Sequence, residues 1–425
     1  MPPIRFIHAA DLHLDAAFSG LSRDIPADFA ERLRTATFTA FRRLLDLCER
    51  ESPDFLLLAG DVYNQEDASV SAQLALRDGF RRLESLSIPV FLVHGNHDPL
   101  ASRLRSVRWP GNVTVFGELP DAVPVFRKGE GTPLAIIHGA SHASGRETRN
   151  LAALFRRTEA CGLHVGLLHA TPGDADGVAR YAPFSQEDLK ASGMDYWALG
   201  HIHDRREVCR EPLAAYPGCT QGLHINEPGE KGCLLVTAEA RPDGGYAVRT
   251  SFRPLGPAVW KTLDMDLGGA ASLDELENRL RTGLDRAAAE VWSGCEMLLV
   301  RLRLQGRTEL DGLLRKGTTC AELADRLREG GSGVPRIWIK DIDVATRPCV
   351  ERGALLERED LLGEVFRLSE AARTASGLQA LREGPLAPLF AHARAGKALE
   401  PLTDEELARL LDDAESLCLD LLEND

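Results

Sequence analysis

The chain lacks any apolar run approaching the ~20 residues that cross a bilayer, so no membrane segment is expected. Its start has no basic stretch followed by an apolar one, so no secretory signal is expected. Cys-x-x-Cys spacing is absent, and the nine cysteines are scattered singly. That speaks against a zinc ribbon or a disulfide framework and fits a reducing cytoplasm. Positive charge is also scarce, with 50 Lys and Arg against 64 Asp and Glu and a net charge of −14. Nucleic-acid binding normally shows as basic surface, but the deficit is local. From Glu400 to Asp425 there are ten acids and one base, Arg409, which supply −9 of the −14. The rest is mildly acidic, so whole-chain charge leaves nucleic acid open as a partner. At 425 residues, 44% hydrophobic and 27% charged, the chain is an ordinary globular protein with room for two or three domains.

What the chain has is a series of histidine- and aspartate-rich turns. They are His8-Ala9-Ala10-Asp11-Leu12-His13, Gly60-Asp61, Gly95-Asn96-His97-Asp98, His169 and Gly200-His201-Ile202-His203. Each follows an apolar run that reads as a buried strand: Ile4–Ile7, Phe55–Leu58, Val90–Val93, Val165–Leu168 and Tyr196–Leu199. An open α/β sheet gathers its loops at the carboxyl ends of its strands, which brings such turns together. In extended backbone, residues i and i+2 point the same way, so Asp11 and His13 can reach one ion, as can His201 and His203. Asp61 has two oxygens and can bridge two ions, Asn96 offers a carbonyl oxygen, and His169 an imidazole. Mixed His, Asp and Asn ligation suits a borderline divalent metal, Mn, Fe, Zn or Ni, rather than a thiolate site. Two such ions ~3.5–4 Å apart can hold a phosphate and acidify a water. His97 then stands beside the phosphate, outside the metal shell. Taken singly, each turn reads equally well as surface or as a plain turn; the ordered set does not.

In that order the motifs resemble the calcineurin-like metallophosphoesterases. His8 to Asp15 and Tyr216-Pro-Gly-Cys-Thr-Gln-Gly222 resemble the SbcD/YhaO-type exonuclease-like branch, over roughly residues 4 to 236. The resemblance implies an α/β fold, the metallophosphoesterase sandwich, with a small α+β capping domain and a helical C-terminal tail. It implies two divalent metals, manganese foremost, with Asp11, His13, Asp61 and His203 on one and Asp61, Asn96, His169 and His201 on the other. It makes His97 the catalytic histidine, oriented by Asp98. One position departs: exonucleases of this family often carry His three residues after the bridging Asp, and here it is Asn64. Asn cannot act as a general acid, which weakens the case for processive exonuclease action and leaves phosphodiester hydrolysis untouched.

The coarse organisation follows from the pattern. Helices are expected over about Asp28–Glu49 and Ser69–Ser87, with Ser185-x-x-Asp188 opening a short one. His94, His138 and His142 read as structural. Arg103, Arg105 and Arg108 cluster after the third turn and read as a solvated face, and Gly330 to Gly333 reads as a flexible loop. The Pro254-Leu-Gly-Pro257 stretch divides a metallophosphoesterase domain, residues 1–255, from an α+β capping domain, 256–350; residues 351–425 form a leucine-rich helical region. Thr403-Asp-Glu-Glu406 opens the last helix as a capping box. Its leucines 407, 410, 411, 417, 421 and 422 make an apolar stripe, with acids opposite. That stripe either packs on its own chain or docks on a partner.

The function expected is a DNA nuclease working in DNA repair, with DNA as substrate. An SbcC/YhaN-type ATPase and a second copy of the chain, as a homodimer, are the partners the resemblance suggests. A small-molecule phosphoesterase and a non-enzymatic scaffold for the ATPase are the rival readings. The extra domain disfavours the first, and the complete ligand set disfavours the second. A phosphoprotein phosphatase is disfavoured because Gly-Asp-x-x-Asp-Arg and Gly-Asn-His-Glu are absent.

Overall fold

Buried apolar strands that alternate with amphipathic helices force layers, and the computed structural model is layered. It describes residues 2–21, 25–64, 69–101, 107–173, 180–242, 244–329, 333–349, 352–391 and 402–422. Arg103, Arg105, Gly330 to Ser332, Glu400, Glu423 and Asp425 lie outside the described residues. The chain first lays down β1 (Ile4–Ala9), β2 (Phe55–Ala59), β3 (Val90–Val93) and β4 (Val113–Val115). It then crosses to β5 (Asp121–Val125), β6 (Ala135–Ala140), β7 (Leu163–His169), β8 (Tyr196–Gly200), β9 (Arg206–Arg210) and β10 (Leu213–Tyr216). It returns with β11 (Gly232–Ala240) and β12 (Tyr246–Pro254), and continues into β13 (Ala258–Asp266), β14 (Met297–Thr308) and β15 (Arg336–Pro348).

Two six-stranded sheets result, in the orders β12-β11-β1-β2-β3-β4 and β5-β6-β7-β8-β10-β9. Their facing sides interdigitate Phe6, Phe55, Leu57, Phe91 and Val93 with Ile137, Val165, Leu167, Tyr196 and Ala198, all buried. Helices Ala36–Glu51 and Val70–Ser85 cover the outer face of the first sheet through Phe41, Leu44, Leu76, Phe80 and Leu83. The central strands are parallel, β1 with β2, β2 with β3, and β6 with β7 with β8, so their carboxyl ends share one edge of the sandwich.

Some elements differ from the sequence expectation. The helix expected over 28–49 is two helices, Ala27–Arg34 and Ala36–Glu51. At the break, the Glu31 carbonyl accepts both the Thr35 N–H at 3.1 Å and the Thr35 hydroxyl at 3.0 Å, a side-chain bond of the kind that bends helices. Strands β5, β9 and β12 depart from the expectation because these edge segments are partly exposed and lack an unbroken apolar run, and β10 because its four residues, buried but short, are too few to show a period. Ser69 caps its helix through Ala72 N, and Ser185 and Asp188 form the expected capping box.

Strands β13–β15 form a third sheet backed by the helix Leu273–Glu290. Trp260, Met297, Leu299 and Trp338 pack with Phe29, Leu33 and Ile225 in one buried cluster. Residues 1–306 and 312–346 accordingly form one compact unit, and residues 307–311 and 347–425 another. In that second unit the helix Asp404–Leu422 lies on the helix Leu361–Ala372. Leu407 is buried, and Leu419 is buried against Leu355, Leu362 and Phe366. The stripe therefore splits: part is covered by its own chain, while Leu410, Leu417, Leu421 and Leu422 stay exposed. The acids opposite are not a free face either. Glu415 is held by Arg352 and Arg373, Asp412 by Arg373, and Asp404 by Arg382. No helix among the described residues is long and apolar enough to cross a membrane.

Candidate metal centre

Every candidate ligand sits on a turn just past a strand except His169, which ends β7, and these turns are tightly drawn together. Asp11 N donates to Gly60 O at 3.1 Å, His13 N to Asp61 O at 3.0 Å and Leu14 N to Val62 O at 3.1 Å, which zips the loop after β1 to the loop after β2. Asp11, His13, Asp61 and His201 all have positive φ, at 51°, 40°, 49° and 105°. Side-chain-bearing residues rarely adopt that region, and clustered outliers of this kind gather at functional sites. Two glycines make room. A Cβ on Gly95 would lie 2.3 Å from Asp61 Oδ1, and one on Gly200 would lie 1.8 Å from the Ala59 carbonyl oxygen.

The side chains converge from both sheets. Ligand atoms of Asp11, His13 and His203 lie within 4.8 Å of one another, as do those of Asp61, His169 and His201. Asn96 Oδ1 stands 3.1 Å from His169 Nε2 and 3.1 Å from His201 Nδ1, which places it with the second group. Asp61 Oδ2 is 3.3 Å from His169 Nε2 and 4.0 Å from His13 Nε2, so it lies between the two groups.

The outward nitrogens explain how the imidazoles are aimed. His169 Nδ1–H donates to Ala59 O at 2.9 Å, His13 Nδ1–H to Asn64 Oδ1 at 2.6 Å, and His203 Nδ1–H to Glu227 Oε1 at 2.5 Å. Each bond makes Nδ1 the donor and turns Nε2 toward the centre, the orientation of metal-binding histidines. Nε2 of His13 and Nε2 of His203 then face each other at 3.1 Å. When both rings are neutral, the two nitrogens can turn their lone pairs to one cation. The donor set thus fits divalent cations of borderline hardness.

Charge in the centre is mutually compensated. Burial raises the Asp11 carboxyl despite His169 and His203 nearby. Burial would raise Asp61 as well, but His169, His13 and His97 outweigh it and hold that carboxyl well below the usual range. Burial lowers His13. It would also lower His169, yet Asp61 and Asp11 carry that imidazole up to about 9. At His203 burial is overcome by Glu227 and Asp11, and the imidazole is raised.

His97 belongs to the same loop and not to either ligand group. Its backbone N–H donates to Asp61 Oδ1 at 2.9 Å, its ring centre lies 5.2 Å from that of His13, and it is exposed where the ligands are buried or half-buried. The expectation that Asp98 orients the His97 ring needs correction. Asp98 is fully buried, and its oxygens accept Gly95 N at 2.7 Å and Val62 N at 3.1 Å and lie 3.3 Å from His94 Nδ1. It ties the third turn to the second. His142 donates to His169 O at 2.6 Å, and His138 stacks on His164, so both are buried framework.

Two residues outside the motifs matter. Asn64 was noted as a missing acid, and here it is the acceptor that orients His13. Glu227, just before Pro228-Gly229, grips His203 while its other oxygen accepts Leu223 N at 2.6 Å. Lys231 adds to this grip: its buried Nζ donates to His203 O at 3.0 Å and to Asp204 Oδ1 at 2.9 Å. The same loop is latched to the third sheet. Gly229 N donates to Trp260 O at 2.9 Å, Trp260 Nε1 to Gly222 O at 3.1 Å, and Gln221 bonds both ways with Ala258. A paired acid 24 residues downstream carries no local signature.

A two-sheet α/β sandwich with paired carboxylate–imidazole groups at its strand ends defines a metallophosphoesterase. Residues 4–205 match the model of the calcineurin-like phosphoesterases, and residues 260–347 match that of the middle domain of metallophosphoesterase YhaO. The chain is 34% identical to the metallophosphoesterase YhaO of Bacillus subtilis (strain 168), over 90% of its own length and 91% of that protein. It is 27% identical to the DNA double-strand break repair protein Mre11 of Aeropyrum pernix, over 68% of its length and 69% of that protein. The chain therefore belongs to the calcineurin-like phosphoesterase family and is a hydrolase related to YhaO and Mre11.

Proposed function

We propose that the chain is a dinuclear-metal phosphodiesterase that cleaves DNA, works in DNA repair in the cytoplasm, and uses manganese. The observation that supports it most is the pair of donor groups on either side of Asp61, with an exposed histidine at their edge. Asp11, His13, Asp61 and His203 would hold one cation, and Asp61, Asn96, His169 and His201 the other. Bound there, two divalent cations supply charge neutralisation for a phosphodiester and acidify a water. His97, the exposed ring, gives a proton to the departing oxygen. Asp61 fixes it by accepting its backbone N–H, so ligand and acid move as one piece. Asp98 holds the third turn against the second and keeps Asn96 and His97 in register. The nine cysteines, free thiols in this structure, support the reducing location.

The division into a nuclease domain (1–255), a capping domain (256–350) and a helical region (351–425) belongs to the same reading, as does an SbcC/YhaN-type ATPase docking on the helical region. Leu361 and Leu368, on the helix against which the last one packs, are exposed, and they are candidates for that contact.

The test is a contrast of two variants on single-stranded DNA, duplex DNA and bis-p-nitrophenyl phosphate with added manganese. Asp61→Ala loses bound metal and nearly all turnover. His97→Ala keeps two metals per chain by elemental analysis and loses turnover by ~10²–10⁴-fold. Metal loss in His97→Ala, or two metals retained in Asp61→Ala, refutes the assignment; cleavage of bis-p-nitrophenyl phosphate with neither DNA cleaved refutes the nuclease.

A further inference from the structure

Two arginines follow His203 by two and three residues, and two residues of chain span at most about 7 Å. Arg206 opens β9, paired in register with Tyr216 at the end of β10. β10 runs parallel to β8, so both arginines stand at the end of the sandwich that carries the metal centre. The Arg205 guanidinium carbon lies 4.1 Å from the ring centre of Phe252 on β12, and that of Arg206 lies 5.6 Å from the ring centre of Tyr216. β9 is the edge of one sheet and β12 the edge of the other. The pair therefore roofs a groove of about 280 Å³ between the two edges, lined also by Glu207, Thr250 and Leu234.

Their charge is uncompensated. Nearby cations are spoken for: Lys231 by Asp204, Arg249 by Glu239, Arg253 by Glu51. Among the described residues neither Arg205 nor Arg206 has a carboxylate within ion-pair distance, Glu207 included. Both are exposed. On a chain of net charge −14 an unpaired arginine pair beside an anion-handling centre is selective placement. Stacking on a ring restricts a guanidinium and leaves its N–H edge outward, the geometry that takes a phosphate with two parallel bonds.

We propose that Arg205 and Arg206 form a phosphate track for a polynucleotide strand, gripping the phosphates that flank the one at the metal centre. This rests on the nuclease reading and adds a residue basis for preferring a strand over a mononucleotide. A lone phosphodiester seated between the donor groups has no further phosphate to offer these side chains.

The experiment compares the wild-type holoprotein with Arg205→Ala/Arg206→Ala, binding a fluorescein-labelled, phosphorothioate-linked single-stranded 20-mer in manganese buffer, followed by anisotropy across a KCl series. The variant binds at least tenfold more weakly at low salt. Its plot of log affinity against log salt is shallower by about 1.4, the release expected for two phosphate contacts on a single strand. The ratio of kcat/KM on oligonucleotide to kcat/KM on bis-p-nitrophenyl phosphate also falls at least tenfold. Equal affinity and equal slope overturn the track, and so does weaker binding with an unchanged slope. A wild-type protein that hydrolyses bis-p-nitrophenyl phosphate but does not bind the 20-mer overturns the nuclease reading and the track with it.

Discussion

At the scale of single residues, the centre is set as much by what holds the ligands as by the ligands themselves. Glu227 is the clearest case, since its carboxylate fixes both the tautomer and the rotation of His203. Glu227→Ala weakens metal binding by the 10–100-fold typical of such supporting partners. Glu227→Gln, which keeps an acceptor oxygen, recovers part of it. Calorimetric titration of the metal-free variants checks this, and equal metal affinity in all three proteins excludes the role. His8 shows the opposite use of a histidine. Its Nε2–H donates to Leu199 O at 3.2 Å, and its Nδ1 meets the Tyr196 hydroxyl at 3.0 Å, so the neutral ring is fully bonded inside the core. Burial lowers its pKa to about 3 from the ordinary 6.5. The unfolded chain therefore binds the extra proton first. The stability His8 contributes is complete above about pH 6.5 and drains as pH falls toward 3. Between pH 7 and pH 5 this one ring costs on the order of 2 kcal/mol. His8→Asn, less stable at pH 7, loses correspondingly less over that interval, read from urea midpoints. Parallel losses in the two proteins contradict the assignment.

At the scale of elements, legibility tracks locality. The ligand turns are readable because each follows an unbroken apolar strand and because i, i+2 spacing carries geometric meaning. Gly95 and Gly200 belong to the motifs for a reason visible only in three dimensions, the contacts a Cβ would make. Glu227, Lys231 and Trp260 are not readable, because their partners are distant in the chain; the first two look like an ordinary Pro-Gly turn and the third like one more apolar residue of a strand. The edge strands β9 and β12 are hidden by their exposed alternate residues. The last helix was ambiguous between self-packing and docking, since one leucine stripe serves either. The structure divides the stripe, and substitution separates its two parts. Leu419→Ala removes a buried side chain and costs about 2 kcal/mol or more; Leu417→Ala, on the exposed side, stays within about 0.5 kcal/mol. Hydrogen exchange over residues 355–372 reports the difference. Similar loss of protection in both variants means that the packing described for Leu419 is wrong.

At the scale of the whole molecule, the chain falls into two compact units, and the donor groups lie wholly in the larger one. The acidity that argues against DNA is concentrated at the other end of the sequence, where part of it is spent on arginines of the smaller unit. Net charge is thus a poor guide to this molecule, while local pairing is a good one. The donors themselves are contributed by both layers: Asp11, Asp61 and Asn96 follow strands of the first sheet, while His169 ends a strand of the second and His201 and His203 follow another. A cation that engages both sets fastens one layer to the other, and neither layer can peel away without first releasing it. Native-state ligands stabilise by mass action, about 2.7 kcal/mol at a hundredfold excess over Kd for one site. Here the benefit also falls on the opening step. Manganese should lengthen the half-life under thermolysin digestion in mild urea, and Asp61→Ala should abolish the gain; an unchanged half-life would rule this out. A cell short of the metal would then hold fewer copies of the protein as well as idle ones, because the unloaded form is cleared by proteases first.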